Sequence, residues 1–111
     1  LVPGGRLIFL GHSPWAMVCT DDDGETVTNA TMRSYFDLHR MDWTEAAIDP
    51  GGIEFNLPLS KWFRLFKEQG FRVDDYLEIQ APAVMAPDRF SIAWAWARAY
   101  PSEQVFKLTK L

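Results

Sequence analysis

The chain has 111 residues, a length that predicts a single compact unit or a part of a larger one. Hydrophobic residues make up 48% and the formal net charge is −4, which together predict a folded core and argue against disorder, nucleic-acid binding and attachment to acidic membranes. No apolar run reaches the roughly 20 residues that cross a bilayer, and the single Cys19 cannot form an internal disulfide, so we expect a cytoplasmic protein.

The first predicted element is a buried strand over 6–10. A Pro-Gly-Gly turn at 3–5 leads into this apolar run, and a continuous apolar run is typical of a strand covered on both faces, as in a parallel sheet. The segment 11–14 ends the strand, and one helical turn is expected at 15–18. Leu1 is not an initiator Met, so we expect the sequence to start in the middle of a gene.

The next stretch is irregular. An acidic and Thr/Asn-rich segment at 21–31 is expected to be an exposed loop. Two extended pieces, 35–43 and 53–57, flank the turn sequence Asp-Pro-Gly-Gly at 49–52 and predict a hairpin. Residues 12–57 are therefore expected to form an insertion of loop and hairpin.

A helix follows the insertion. Its apolar residues recur at i, i+3, i+4 and i+7, a spacing that gives a helix one apolar face, and Gly70 is expected to end it at C′. A strand over 72–80 should then return to the sheet. The four spaced residues are Leu59, Trp62, Phe63 and Phe66.

The last part of the chain predicts one more helix and one more strand. The helix is expected to run from an N-cap at Asp88 to about Tyr100, where Pro101 stops it. The alternating residues at 105–108 predict a closing strand.

Three segments carry a resemblance to a known family. Residues 1–7 (LVPGGRL) resemble the segment that introduces the fifth strand of class I S-adenosylmethionine-dependent methyltransferases. Residues 62–73 (WFRLFKEQGFRV) resemble the helix that leads, through a Gly-Phe pair, to the sixth strand of that family. The tail at 96–106 (WARAYPSEQVF) resembles that of a subgroup of bacterial methyltransferases of unassigned substrate.

The resemblance implies an α/β fold class. It implies a partial Rossmann-like methyltransferase sheet made of the last three strands, mixed in direction, with two helices and an insertion hairpin. All of 1–111 would be a single unit, the C-terminal portion of a methyltransferase domain. The rest of the domain would precede it.

The resemblance also implies S-adenosylmethionine as the cofactor of the full-length parent, but no cofactor site in this chain. The family's glycine-rich turn after the first strand, and the acidic residue after the second, have no counterpart here. We expect the parent to methylate a small molecule, this half to shape the acceptor pocket, and the isolated chain to be inactive. The alternative is a non-catalytic binding or oligomerisation module on a methyltransferase-like scaffold.

Five residues are candidates for the wall of the acceptor pocket. His12 and Ser13 follow the carboxyl end of the first strand, where ligands gather in open α/β sheets, and Trp15 comes directly after them. Tyr35 and His39 belong to the aromatic insertion. A structural turn or core packing is the alternative role for each, and no catalytic residue is assigned.

Metal binding and cysteine chemistry are not expected. The acidic run at 21–25 lacks the alternate ligand spacing of a calcium loop. His12 and His39 stand at no zinc spacing, and nothing in the sequence around Cys19 favours a thiolate.

Self-association is the final expectation. The strand at 6–10 would lose its neighbour if the first half of the sheet is absent, and its apolar side chains offer no charge against pairing with another chain. We therefore expect a homodimer or larger assembly through this open sheet edge.

Overall fold

The computed structural model describes residues 1–22, 24, 26–46, 51–87 and 92–111. The described part is a mixed α/β chain with a three-stranded sheet, a two-stranded hairpin and three helices. The elements in chain order are β1 (Arg6–His12), α1 (Pro14–Cys19), β2 (Arg40–Asp42), β3 (Ile53–Phe55), α2 (Leu59–Glu68), β4 (Phe71–Ile79), α3 (Trp94–Ala99) and β5 (Glu103–Lys110).

The three-stranded sheet has the order β1-β5-β4, and both pairs of neighbours are antiparallel. The expected mixed sheet is therefore wrong, because the closing strand β5 enters between the other two and runs against both. A consequence is that β1 and β4 run in the same direction on the two sides of β5. The register aligns Leu10, Val105 and Leu77 in one row across the sheet.

β1 does not have the burial that its apolar run predicts. Its residues alternate, so that Leu7 and Phe9 pack into the core while Ile8 and Leu10 are 60% and 59% exposed. The expectation of a strand covered on both faces is wrong, because in the described part of the chain helix α2 covers one face of the sheet and the other face is open.

α2 confirms the helix that the spacing predicts. Trp62 and Phe66 are buried against the sheet, and the helix ends before Gly70, whose φ of 79° suits a residue without Cβ. Pro58 stands at the N-cap and offers no side-chain acceptor. The hydroxyl of Tyr35 accepts the hydrogen bond of the Leu59 amide instead, at 2.8 Å.

Phe106 forms the centre of the sheet core. It is fully buried in the middle strand, β5, and its neighbour on the same face, Leu108, is 1% exposed. The ring of Phe106 lies 4.7–6.5 Å, centroid to centroid, from five aromatic rings, those of Phe9, Trp62, Phe63, Phe66 and Tyr76.

A second hydrophobic cluster lies apart from the sheet core. It joins α1 to α3 and to the insertion, where Val27 and Leu38 are buried. Ser13 caps α1 and Pro14 opens it, which confirms the helical turn expected there. The hairpin is confirmed too, although its strands β2 and β3 are only three residues each.

α3 is shorter than expected. It begins at Trp94, and Ala93 before it is extended, with φ −69° and ψ 140°, so the expected run of helix from Asp88 is wrong over 92–93. Asp88 itself lies outside the described residues. The end of α3 at Ala99, just before Tyr100 and Pro101, agrees with the expected stop. No helix in the described part of the chain has the length and apolarity needed to cross a membrane.

Candidate functional site

A histidine–glutamate pair links the end of the sheet to the insertion hairpin. His12 is the last residue of β1, and Glu54 is the middle residue of β3. The imidazole Nδ1 lies 2.7 Å from Glu54 Oε1, and the indole Nε1 of Trp43 donates to Glu54 Oε2 at 2.8 Å. The carboxylate is thus oriented by donors from two sides.

The pair stabilises the charged form of each partner. The hydrogen bond to Glu54 raises the pKa of His12 against the opposing effect of burial, and the nearby Glu103 raises it further. Burial raises the pKa of Glu54, but the hydrogen bond and charge of His12, together with the side chains of Trp43 and Asn56, outweigh it and leave that pKa lowered. An ionised carboxylate can only accept, so Nδ1 donates to Glu54, and Nε2 is the ring nitrogen left to bind another group.

A cavity of about 450 Å³ opens beside His12. This volume falls in the range of small-molecule sites, which combine a mostly apolar wall with a few polar groups. His12 and Glu103 are its ionisable residues in the described part of the chain, and they stand opposite each other at the ends of β1 and β5. Its apolar wall includes Pro82, Pro87, Ile92 and Trp94.

Two other candidates from the sequence have structural roles. Ser13 is fully buried, its hydroxyl donates to the carbonyl oxygen of Pro101, and it accepts from the Ala16 amide at 3.2 Å. Trp15 is 52% exposed and stacks on Tyr100 with 5.6 Å between ring centroids. Neither residue lines the cavity beside His12.

The two insertion candidates also lie away from that cavity. Tyr35 caps α2 through its hydroxyl. His39 is exposed, and its ring meets the ring of Phe55 edge to face at 5.8 Å. The structure therefore does not bring the five candidates together, and His12 is the one that lines the cavity.

Sequence reasoning missed Glu54 and Glu103. Glu54 is 42 residues from His12, so no local spacing could pair them. One signal was present: Glu54 is a lone acid between Ile53 and Phe55 in a predicted strand, where alternation places it on the face opposite to both. The alternation at 105–108 predicts a shorter closing strand than the structure has, and Glu103 is the first residue of β5.

Asn56 lies two residues after Glu54, directly after β3, and is 4% exposed. Its side chain contributes to the lowered pKa of Glu54, although Nδ2 meets no acceptor at hydrogen-bonding geometry among the described residues. Trp96 Nε1 and Gln104 Nε2 are likewise buried without such an acceptor. Buried donors of this kind are uncommon in folded proteins.

A larger cavity of about 920 Å³ lies against α2 and the start of β4. Arg64, Lys67 and Arg72 line it, and all three are exposed. It contains no pair of groups that polarise each other as His12 and Glu54 do, so we place the candidate site at the smaller cavity.

The described residues contain neither an activated cysteine nor a cluster of metal-ligating side chains. Cys19 is buried, and burial raises the pKa of its thiol. No group of three or more metal-ligating side chains that could hold a metal ion occurs among the residues that the structure describes.

The described residues do not fit S-adenosylmethionine. The three glycines with positive φ precede β1, lie in a loop, or follow α2, and they are Gly4, Gly24 and Gly70. Ser13 alone separates β1 from α1, and Gly11, which lies within β1, does not have a positive φ, so the glycine-rich strand-to-helix turn that such cofactors need is not found in this part of the chain.

Comparisons with known proteins give no relative: no protein-family model, no curated protein and no solved structure matches the chain.

Proposed function

We propose that this chain is the C-terminal, substrate-side part of an S-adenosylmethionine-dependent methyltransferase that acts on a small molecule. The observation that carries the proposal is the cavity beside His12 at the carboxyl end of β1. In open α/β sheets, ligands bind outside the carboxyl ends of the parallel strands, and β1 and β4, which run in the same direction, both end at this edge. The chain would shape the acceptor pocket, while the parent's other residues hold the cofactor.

The topology supports a Rossmann-like origin for the sheet. β1 and β4 run in the same direction, and α2 directly precedes β4 and packs on the sheet. Strands of like direction joined through a helix are the repeating unit of α/β folds. The segments at 1–7 and 62–73, which carry the resemblance, fall on the start of β1 and on α2 with β4.

The test has two measurements. Calorimetry of the chain with S-adenosylmethionine should detect no binding at or below roughly micromolar Kd, because the described residues offer no glycine-rich turn. The full-length gene product should transfer a labelled methyl group to a small acceptor. Micromolar binding by the chain alone would overturn the assignment of the cofactor to other residues, and a full-length product that binds no cofactor would overturn the methyltransferase proposal.

A non-catalytic binding or oligomerisation module is the second candidate. The exposed apolar residues of β1 on the open face of the sheet favour it, because Ile8 and Leu10 are more than half exposed there. The coding sequence upstream of Leu1 discriminates between the two candidates. A reading frame that continues into a strand and a Gly-x-Gly turn supports the enzyme, and a stop codon directly upstream supports the module.

A further inference from the structure

We propose that the cavity beside His12 binds a small, uncharged, mostly apolar molecule with a hydroxyl group, of the phenol class, which donates its hydrogen bond to His12 Nε2. The inference rests on the proposed function, for which this molecule would be the methyl acceptor. It deepens that function by assigning the chemical class of the acceptor and the atom that recognises it.

The orientation of the imidazole supports this assignment. Glu54 Oε1 engages Nδ1 at 2.7 Å, which fixes the ring and its tautomer. Trp43 holds the second oxygen of the same carboxylate, so the carboxylate has little freedom to turn away. Nε2 of the neutral ring then carries a lone pair that can accept a hydrogen bond, and His12 is one of the residues that line the cavity.

The charges around the ring select against an anionic ligand. Glu54 faces His12 from β3, and Glu103 faces it from β5. A ligand carboxylate in the cavity would lie beside Glu103, and like charges at short range repel. A neutral hydroxyl avoids this cost and still supplies the donor that Nε2 accepts.

The apolar wall suits a flat ring. Pro82, Pro87 and Ile92 line the cavity together with Trp94, whose indole Nε1 donates to the carbonyl oxygen of Pro82 at 2.9 Å. That hydrogen bond holds the indole, so its apolar surface is presented without further loss of side-chain freedom. The volume of about 450 Å³ accommodates one substituted ring.

Three probe molecules of similar shape test the proposal: p-cresol, toluene and 4-methylbenzoate. Each is titrated into the isotope-labelled chain at pH 8 and followed by amide and indole chemical shifts. We expect p-cresol to bind about fivefold more tightly than toluene, the effect of one net hydrogen bond, with 4-methylbenzoate weakest. Shifts should centre on His12, Ile92 and Trp94. Equal binding of p-cresol and toluene, or shifts centred elsewhere, would overturn the proposal.

Two histidine variants provide the matched comparison. His12→Leu should abolish the preference for p-cresol over toluene, and His39→Leu, at an exposed histidine away from the cavity, should keep it. Spectra of the free variants establish that each is folded. Retention of the preference in folded His12→Leu would contradict the assignment.

A pH titration of the unaltered chain gives a second measurement that needs no variant. Protonation of His12 turns Nε2 from an acceptor into a donor, so p-cresol can no longer donate to it, and the preference for p-cresol over toluene should change as the pH is lowered through the raised pKa of His12. A preference that stays constant between pH 8 and pH 5 would contradict hydrogen bonding to Nε2.

These outcomes separate this inference from the proposed function. Binding of p-cresol needs no methyl donor. If p-cresol binds as expected but the full-length gene product methylates nothing, the ligand site is supported and the methyltransferase proposal is overturned. If the full-length product transfers methyl groups but replacement of His12 leaves p-cresol binding unchanged, this inference is overturned and the methyltransferase proposal is not.

Discussion

The two faces of the three-stranded sheet differ, although the same strands build both. On the core face, Phe106 and Leu108 are buried beneath α2. On the open face, Ile8 and Leu10 of β1 are 60% and 59% exposed, and Leu77 of β4 is 38% exposed. Neighbouring residues of one strand thus have opposite environments, and the helix that packs on the sheet decides which of them are buried.

One row of the open face is apolar, and the row beside it carries the charged residues Lys107 and Asp75. The apolar row crosses all three strands, with Leu10, Val105 and Leu77 side by side. Contiguous exposed apolar surface is unusual on a monomer and marks interaction sites. The face ends in the row that contains His12 and Glu103, so the candidate ligand site lies at its border.

The largest expected difference between the faces is in folding stability. Phe66→Ala on α2 should lower the free energy of unfolding by about 3–5 kcal/mol, because it empties a large aromatic site in the core. Trp62→Ala should have an effect of the same size. Urea denaturation monitored by fluorescence or circular dichroism measures both changes.

Ile8→Ala is the control on the open face. Since Ile8 is 60% exposed, its truncation should cost less than about 1 kcal/mol. If Ile8→Ala cost as much as Phe66→Ala, the open face would be covered in solution. If neither variant changed stability, the assignment of the core face would be wrong.

The same comparison explains which parts of the fold the sequence predicts. The helix α2 was fully predictable, because the spacing of Trp62 and Phe66 and the stop at Gly70 are local signals. The burial of β1 could not be predicted from the sequence, because a run of apolar residues is compatible with a strand that is covered on one face or on both. That coverage depends on α2, which lies more than 40 residues further along the chain.

The candidate site, too, could be predicted only in part from the sequence. The position of His12 at the end of a strand follows from local sequence, and the expectation that it borders a pocket rests on a general rule for α/β sheets. Its partnership with Glu54 does not follow, because the insertion hairpin brings the two together in space. Ser13 appeared equivalent to His12 in sequence, but capping α1 turns its hydroxyl inward.

Self-association is the second effect expected from the open face. In the described part of the chain, β1 pairs with β5 alone and presents Ile8 and Leu10. We expect light scattering to give a mass above 12.7 kDa at about 100 μM. Leu10→Lys should weaken association by at least about tenfold, because it places a charge in the contact surface.

Val84→Lys is the matched control for association. Val84 is 80% exposed but lies outside the three strands, so a lysine there should leave the mass unchanged. A clean monomer of the unaltered chain would contradict association through this face, and equal effects of the two lysines would indicate a contact elsewhere.

The His12–Glu54 pair at the border of the open face should make stability depend on pH. The folded pKa of His12 lies above its ordinary 6.5, so its contribution is full below 6.5 and is lost as the pH rises through the raised pKa. The folded pKa of Glu54 lies below its ordinary 4.5, so its contribution is present above 4.5 and is lost as the pH falls through the lowered pKa.

The difference in unfolding free energy between the unaltered chain and Glu54→Gln should therefore be widest between pH 4.5 and pH 6.5. We expect about 1 kcal/mol there, because both side chains are partly exposed to water. Glu68→Gln, at an exposed position on α2, should show no such window. A flat difference for Glu54→Gln would mean that the pair does not form in solution.

The smallest expected effect tests whether the open face is in water. Lys107 and Asp75 stand opposite each other on this face, with 3.9 Å between Nζ and Oδ2, and about half of each side chain is exposed. Exposed ion pairs contribute little because water screens them, so a double-mutant cycle with Lys107→Met and Asp75→Asn should give a coupling below about 0.5 kcal/mol. Methionine retains an apolar stem in the row beside Ile8, which limits the loss of packing.

If the face is covered by a second copy, the ion pair is removed from water, and the coupling energy should grow as the protein concentration is raised. A coupling that is small at every concentration, in a chain that light scattering shows to be associated, would place the contact between copies away from this face.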